Sequence, residues 1–235
     1  HLNKERAEVL EASWVLAAMS AQLPSANSEW LFEVDRYSIM LVRDDAGKVR
    51  AFHNSCLHRG TKLRCHPSPN KQVWKGRAGK SISCPYHGWE YDFKGHLQHI
   101  PKGEAISVYD RSKLREYPIY EVSGLIWICL GTPKESAATF LSTIPDVLKK
   151  YTLQEMLPIE ARDFHFSVNW KISLENALDY YHVSKVHGST VNAHVQEPPT
   201  FHENGWHSLQ TLHIAPYRWR TWFDRQCTRR DVYSQ

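Results

Sequence analysis

Short apolar stretches, some alternating with polar residues, fill the first half of the chain, and the pattern changes near residue 135. Trp14 to Met19 and Trp30 to Val34 read as strands, separated by the loop Pro24-Ser25-Ala26-Asn27-Ser28. Ser38 to Arg43 is apolar and β-rich. Asp44-Asp45-Ala46-Gly47-Lys48 then supplies a hairpin turn, and Val49 to Asn54 returns as a strand. Trp89 to Phe93, a Lys94-Gly95 turn and His96 to Ile100 predict another hairpin. Val122 to Leu130, interrupted by Gly124, closes the β-rich region before Gly131-Thr132-Pro133 breaks it. Residues 3–12 form a charged, helix-compatible lead-in. Beyond residue 135 the periods are mixed: Phe140 to Leu153 reads as helix, Ile159 to Ser167 as extended, Lys171 to Lys185 as helix. The expected boundary lies there, with domains over 1–135 and 136–235. No internal repeat is visible.

At 235 residues the chain can hold two modest domains, and a hydrophobic content of 42% with nine tryptophans belongs to a packed globular protein. A net charge of +4 does not call for nucleic acid. One run stands out: Arg59 to Lys80 carries seven Lys or Arg and no Asp or Glu. It is a solvated loop surface or, in the sharper reading, a docking face for an acidic electron carrier. The cysteines outside the motifs below, Cys65, Cys129 and Cys227, have no disulfide-framework spacing. With no bilayer-length apolar stretch and no signal-peptide pattern, a cytoplasmic location away from membranes is expected. The sequence opens on His1, so a fragment of a longer chain is expected.

The chemistry concentrates in two boxes, Cys56-Leu57-His58-Arg59-Gly60 and Cys84-Pro85-Tyr86-His87-Gly88-Trp89. Each offers one thiolate and one imidazole. Together they can hold a 2Fe–2S cluster with both thiolates on one iron and both imidazoles on the other, a Rieske centre. Neutral imidazoles in place of two thiolates make such a cluster easier to reduce. Gly60 and Gly88 allow tight turns beside it. Structural zinc is the alternative for two Cys and two His, but zinc sites favour paired cysteines followed by paired histidines. Cys65-His66 has no matching second pair.

Downstream, Asp179, His182 and His187 form a second constellation. Asp179 and His182, three apart, share a helix face. His182 and His187 are separated by about 140° on an ideal helix, so they converge only if the helix distorts or ends between them. Gly188 agrees with a termination there. Two such imidazoles plus one carboxylate from elsewhere in the chain make the facial triad of non-haem iron(II).

In this order the motifs Cys-x-His-Arg-Gly, Cys-Pro-x-His-Gly-Trp, Asn169-Trp170-Lys171, Glu175-Asn176 and Asp-x-x-His-x4-His resemble the α subunits of Rieske non-haem iron oxygenases, the aromatic-ring-hydroxylating enzymes. The resemblance implies an α+β protein, an all-β Rieske domain followed by an incomplete α+β helix-grip-like catalytic domain. It implies Cys56, His58, Cys84 and His87 as cluster ligands, and His182 and His187 as ligands of a catalytic Fe(II). Asp179 matches the carboxylate that bridges a Rieske histidine of a neighbouring subunit to an iron histidine, and Asn176 a polar residue near the iron. A homotrimer or a multiple of it follows, fed from NAD(P)H through a reductase, with or without a ferredoxin. The reaction would hydroxylate, dihydroxylate or demethylate a small, flat substrate, as in aromatic hydrocarbon catabolism.

The chain departs from that pattern twice. The connection between the boxes, residues 59–83, is longer than usual, with Pro67 to Gly79 as an extended insertion. The family's third iron ligand, an Asp far downstream, has no counterpart: Glu197, Glu203, Asp224 and Asp231 are the carboxylates after His187, and none has the matching context. An electron-transfer protein without a working iron site is therefore the alternative reading. The resemblance implies that the tail, with His194, Phe201, Trp206, Trp219 and Trp222 among its aromatics, begins the catalytic sheet; most of these residues are expected in strand cores, and those that wall a pocket suit an aromatic ring or, through cation–π attraction, a quaternary ammonium.

Overall fold

The computed structural model describes residues 2–65, 81–102, 113–156, 165–188, 200–205 and 207–211. The insertion Pro67 to Gly79, Cys227 and the tail carboxylates Glu197, Asp224 and Asp231 lie outside them. The chain divides into two compact units, His1–Arg162 and Asp163–Gln235, each taken by itself below.

The first unit begins with the helical lead-in, α1 (Leu2–Glu5) running into a π-helical turn at Arg6–Leu10. Strands β1 (Trp14–Met19), β2 (Glu29–Val34), β3 (Tyr37–Arg43) and β4 (Val49–His53) follow within a residue or two of the expected places. Next come β5 (Ile82–Ser83), β6 (Glu90–Tyr91), β7 (Leu97–His99), β8 (Glu116–Tyr117), β9 (Ile119–Val122) and β10 (Leu125–Cys129). They form three antiparallel sheets ordered β1-β10-β9, β2-β3-β4-β8 and β5-β6-β7.

The four-stranded sheet is apolar on both faces. Ile39 and Leu41 of β3 share a core with Ala17, Ala18, Ile126 and Ile128 of the β1-β10-β9 sheet. Their alternate neighbours Met40 and Val42 share another with Cys56, Leu63, Ile82, Cys84, Trp89 and Tyr91. Side chains alternate along a strand, so the unbroken run Ile39-Met40-Leu41-Val42 serves a layer on each side, all four residues being buried. Each such aliphatic contributes roughly 1.5–3 kcal/mol of burial free energy.

Three local expectations change. Gly124 does not interrupt one strand: Ser123 and Gly124, both at positive φ, turn the chain between β9 and β10, and Val122 pairs with Leu125. The expected helix from Phe140 to Leu153 is instead α2 (Ala137–Leu141), α3 (Ile144–Lys149) and a 3-10 turn at Leu153–Glu155. Pro145 would clash with the Leu141 carbonyl in one continuous helix, and α3 starts afresh around it. Ala137 and Phe140 of α2 pack with Trp14 and Cys129, so this segment stays with the β-rich unit. The third change, in the helix after Lys171, concerns the site.

In the second unit α4 (Trp170–Leu178) is N-capped by Asn169, whose side chain accepts from the Lys171 N–H at 3.0 Å. Then come α5 (Val183–Val186) and a hairpin of β11 (Thr200–Asn204) and β12 (His207–Thr211). Within the expected extended stretch Ile159 to Ser167, residues 159–164 are outside the described set. No helix among the described residues is long and apolar enough to cross a membrane.

Candidate metal centres

β4 delivers the chain to the first box, and the β5–β6 hairpin carries the second at its tip. The two boxes fold into the same turn. In the first, the Cys56 carbonyl accepts from Gly60 N–H at 2.9 Å and the Cys56 N–H donates to Thr61 O at 2.9 Å. In the second, the Cys84 carbonyl accepts from Gly88 N–H at 3.0 Å and the Cys84 N–H donates to Trp89 O at 2.8 Å. Gly60 and Gly88 both stand at φ 72°, a left-handed conformation that a Cβ would strain. In both boxes the cysteine stands four residues before such a glycine with a histidine between them, so each loop presents one thiol and one imidazole.

The presentations converge in pairs. Cys56 and Cys84 are both buried, and they are close enough for the Cys84 thiol to act electrostatically on Cys56. The His58 and His87 rings lie 4.7 Å apart, centroid to centroid. Burial pushes the Cys56 thiol up and the neighbouring Cys84 adds to it; Tyr91 and the His58 N–H act the other way. A bound metal would remove that proton outright. Two thiols on one side and two imidazoles on the other is the donor set a Rieske cluster takes, so these residues fit the group.

The two imidazoles differ in surroundings. His58 stacks on Trp89 with centroids 4.9 Å apart and planes 4° from parallel, and its Nδ1 is shut off from solvent. His87 is exposed, with the exposed Tyr86 ring 3.9 Å away. Tyr91, absent from the sequence reading, is fully buried beside Cys56. Its hydroxyl accepts from Leu57 N–H at 3.1 Å and lies 3.2 Å from Cys56 Sγ, to which its own proton is free to point. Burial and the Cys56 contact both hold its phenol well above the ordinary range. The signal was there: from the last residue of the second box onward, Trp89, Tyr91 and Phe93 alternate on one face, and all three are buried.

In the second unit the helix ends at Leu178 and Asp179 is its C-cap, with extended ψ of 100°. The Asp179 carboxylate accepts from Tyr181 N–H at 2.8 Å, a local turn that competes with helix propagation. The chain re-enters a helix at α5, flanked by His182 and His187. Asp179 and His182 therefore meet through a turn rather than along a helix face, with Asp179 Oδ2 and His182 Nδ1 3.1 Å apart. The chain between His182 and His187 is the single helical turn α5, and the two rings, one at each end of it, lie 5.5 Å apart, centroid to centroid. Tyr181 N–H and then the His182 imidazole hold the Asp179 carboxyl below its usual range. Asn176 lies exposed on the last turn of α4. Two imidazoles side by side fit a share of an iron site. Among the described residues no three His, Cys, Asp or Glu side chains gather around one ion position.

Residues 13–118 match the family model of the Rieske [2Fe-2S] domain, and residues 153–234 that of the ring hydroxylating alpha subunit catalytic domain. The glycine betaine monooxygenase oxygenase subunit of Chromohalobacter salexigens is 27% identical over 198 residues, 83% of this chain and 42% of that protein. The carnitine monooxygenase oxygenase subunit of Escherichia coli K12 is 30% identical over 187 residues, 78% of this chain and 48% of that one. The anthranilate 1,2-dioxygenase large subunit of Acinetobacter baylyi is 28% identical over 78% of this chain and 39% of its own length. The chain thus spans less than half the length of these relatives.

Among solved structures, a quaternary ammonium Rieske monooxygenase, described for carnitine oxidation and inter-subunit electron transfer, superposes with a TM-score of 0.77 at 23% identity. It covers 88% of this chain and 56% of that one. Naphthalene 1,2-dioxygenase from a Rhodococcus species gives 0.74 at 23%, over 92% and 51%. These likenesses show the fold. Joining a Rieske domain to a ring-hydroxylating catalytic domain, the chain belongs to the α subunits of the Rieske non-haem iron oxygenases.

Proposed function

We propose that the chain is the oxygenase component of a Rieske oxygenase system, with Cys56, His58, Cys84 and His87 holding the cluster, and His182 and His187 holding a catalytic iron. The observation that carries this is the pair of matched turns that brings two thiols together and two imidazoles together. When bound, the cluster supplies one-electron transfer and the iron supplies dioxygen activation. The chain's own residues orient the ligands. With the His182 Nδ1–H donating to Asp179, the ring keeps its lone pair on Nε2 and cannot rotate freely. His87, being exposed, is the edge through which an electron leaves. We assign Asp179 the task of receiving that edge from a neighbouring subunit, which makes a head-to-tail trimer the working assembly, and an NAD(P)H-dependent reductase its donor.

Iron and acid-labile sulfide per chain, with low-temperature EPR after dithionite reduction, test the reading. Three irons, two sulfides and a Rieske-type signal are expected. Two irons would make the chain an electron carrier, and zinc without sulfide would sink both. His182→Ala is expected to lose the third iron and keep the Rieske signal; retention of three irons would refute the iron assignment.

A second reading concerns substrate. The betaine and carnitine relatives favour a methylated ammonium compound over a flat aromatic acid. Oxidation at an N-methyl carbon releases formaldehyde, and dihydroxylation of a ring does not. Formaldehyde measured with reductase, NADH and either glycine betaine or anthranilate separates the two.

A further inference from the structure

The first unit buries an ion pair that the cluster chemistry above does not use. Glu29, at the start of β2, and Arg64, six residues past His58, have side chains only 2% and 7% exposed. Arg64 Nε donates to Glu29 Oε2, and Nη2 donates to Glu29 Oε1 at 2.8 Å. The remaining arm, Nη1, donates to Leu63 O at 2.8 Å and reaches Ser83 O at 3.3 Å. The backbone is held as firmly: Arg64 N–H donates to Asn54 Oδ1 at 2.8 Å, and Asn54 Nδ2 donates to Arg64 O at 2.7 Å.

These partners have a common location. Asn54 lies two residues before Cys56, Ser83 is the residue before Cys84, and Leu63 shares a core with both cysteines. One guanidinium therefore ties the end of the first ligand loop to the start of the second, across the two ends of the long connection between them. Glu29 anchors that tie to the sheet. A planar fork with five fixed N–H donors suits such a junction; a lysine, with three donors on one nitrogen, could not serve all four oxygens at once.

Charge gives the pair a second consequence. A lone guanidinium buried beside the cluster would favour its reduced, more negative form and raise its potential. The Glu29 carboxylate, in a bidentate contact, cancels that field.

We propose that Glu29 and Arg64 act on the cluster as one unit. Arg64 is a positioning residue that locks both ligand loops, and Glu29 aims its fork and keeps the lock electrically silent. The inference rests on the cluster reading above.

The test uses the full chain loaded with its cluster, and reads midpoint potential and the rate of cluster loss to an iron chelator. Glu29→Gln, close in shape but uncharged, is expected to raise the potential and to speed cluster loss several-fold. Glu29→Gln combined with Arg64→Met is expected to return the potential to that of the wild type while cluster loss stays fast. A wild-type potential together with a wild-type rate of loss in Glu29→Gln overturns the proposal. If Glu29→Gln does not load, loading of the double variant upholds the charge compensation, and failure of both overturns it. Absence of a Rieske signal in the wild type refutes the cluster reading itself, an outcome distinct from all of these.

Discussion

Tyr91 illustrates how a single hydroxyl reaches the cluster electronically. Its oxygen is occupied by the Leu57 N–H, which leaves its proton for Cys56 Sγ. A hydrogen bond to a ligand sulfur draws charge from the cluster and stabilises the reduced state. Tyr91→Phe keeps the ring and its packing and removes that donor. The expected outcome is a fall in midpoint potential on the order of 50 mV, the equivalent of about 1 kcal/mol for a one-electron couple. EPR-monitored redox titration measures it. An unchanged potential would mean that the Tyr91 proton points elsewhere. At this scale the sequence pointed to Cys56 and His87 because the chemistry needs particular side chains, and the structure places each beside its counterpart, Cys84 and His58. The sequence was silent about Glu29, whose partner lies 35 positions away and carries no local pattern.

At the scale of elements, the β3–β4 turn carries a carboxylate with a structural task. Asp44 is 1% exposed. Its carboxylate accepts from Arg50 Nε at 2.8 Å and from the N–H groups of Ala46 and Lys48 at 3.0 and 2.9 Å. Burial pushes its pKa up, but Arg50 and these N–H groups pull it further down, so it ends below the ordinary value. A depressed carboxylate stabilises the fold above its unfolded pKa of about 4, and that contribution disappears as pH falls through the folded value. Asp44→Asn is therefore expected to cost about 1–3 kcal/mol at pH 7, and the gap from wild type to narrow below about pH 4. Urea unfolding at both pH values checks this.

Strands and hairpins were readable because β1 to β4 carry strong β propensity and turn residues between them. What escaped was decided by single competing contacts. The Asp179 carboxylate outbids the helix by accepting from Tyr181 N–H, and Pro145 restarts a helix that periodicity alone would extend. Periodicity sees faces, not such local competitors.

For the molecule as a whole, the proposed cluster ligands and the residues around them, Glu29, Arg64, Trp89 and Tyr91, all belong to the first compact unit. Residues 1–162 produced alone are expected to bind two irons and two sulfides and to give a Rieske signal without the third iron. Loss of the signal on truncation would show that the second unit is needed to hold the cluster. The strand β3 carries the remaining lesson. Its even positions face the ligand loops and its odd positions face the β1-β10-β9 sheet, so a one-residue slip would exchange the two sets. Gain or loss of a residue within Ser38 to Arg43 is thus forbidden twice over, once by each layer. Change of length is left to the connections, above all to the one whose two ends Arg64 already fastens. Descent with insertions and deletions would therefore spare the frame of β3 and vary the span between the ligand loops, keeping the electron-transfer site constant while the surface around it is rewritten.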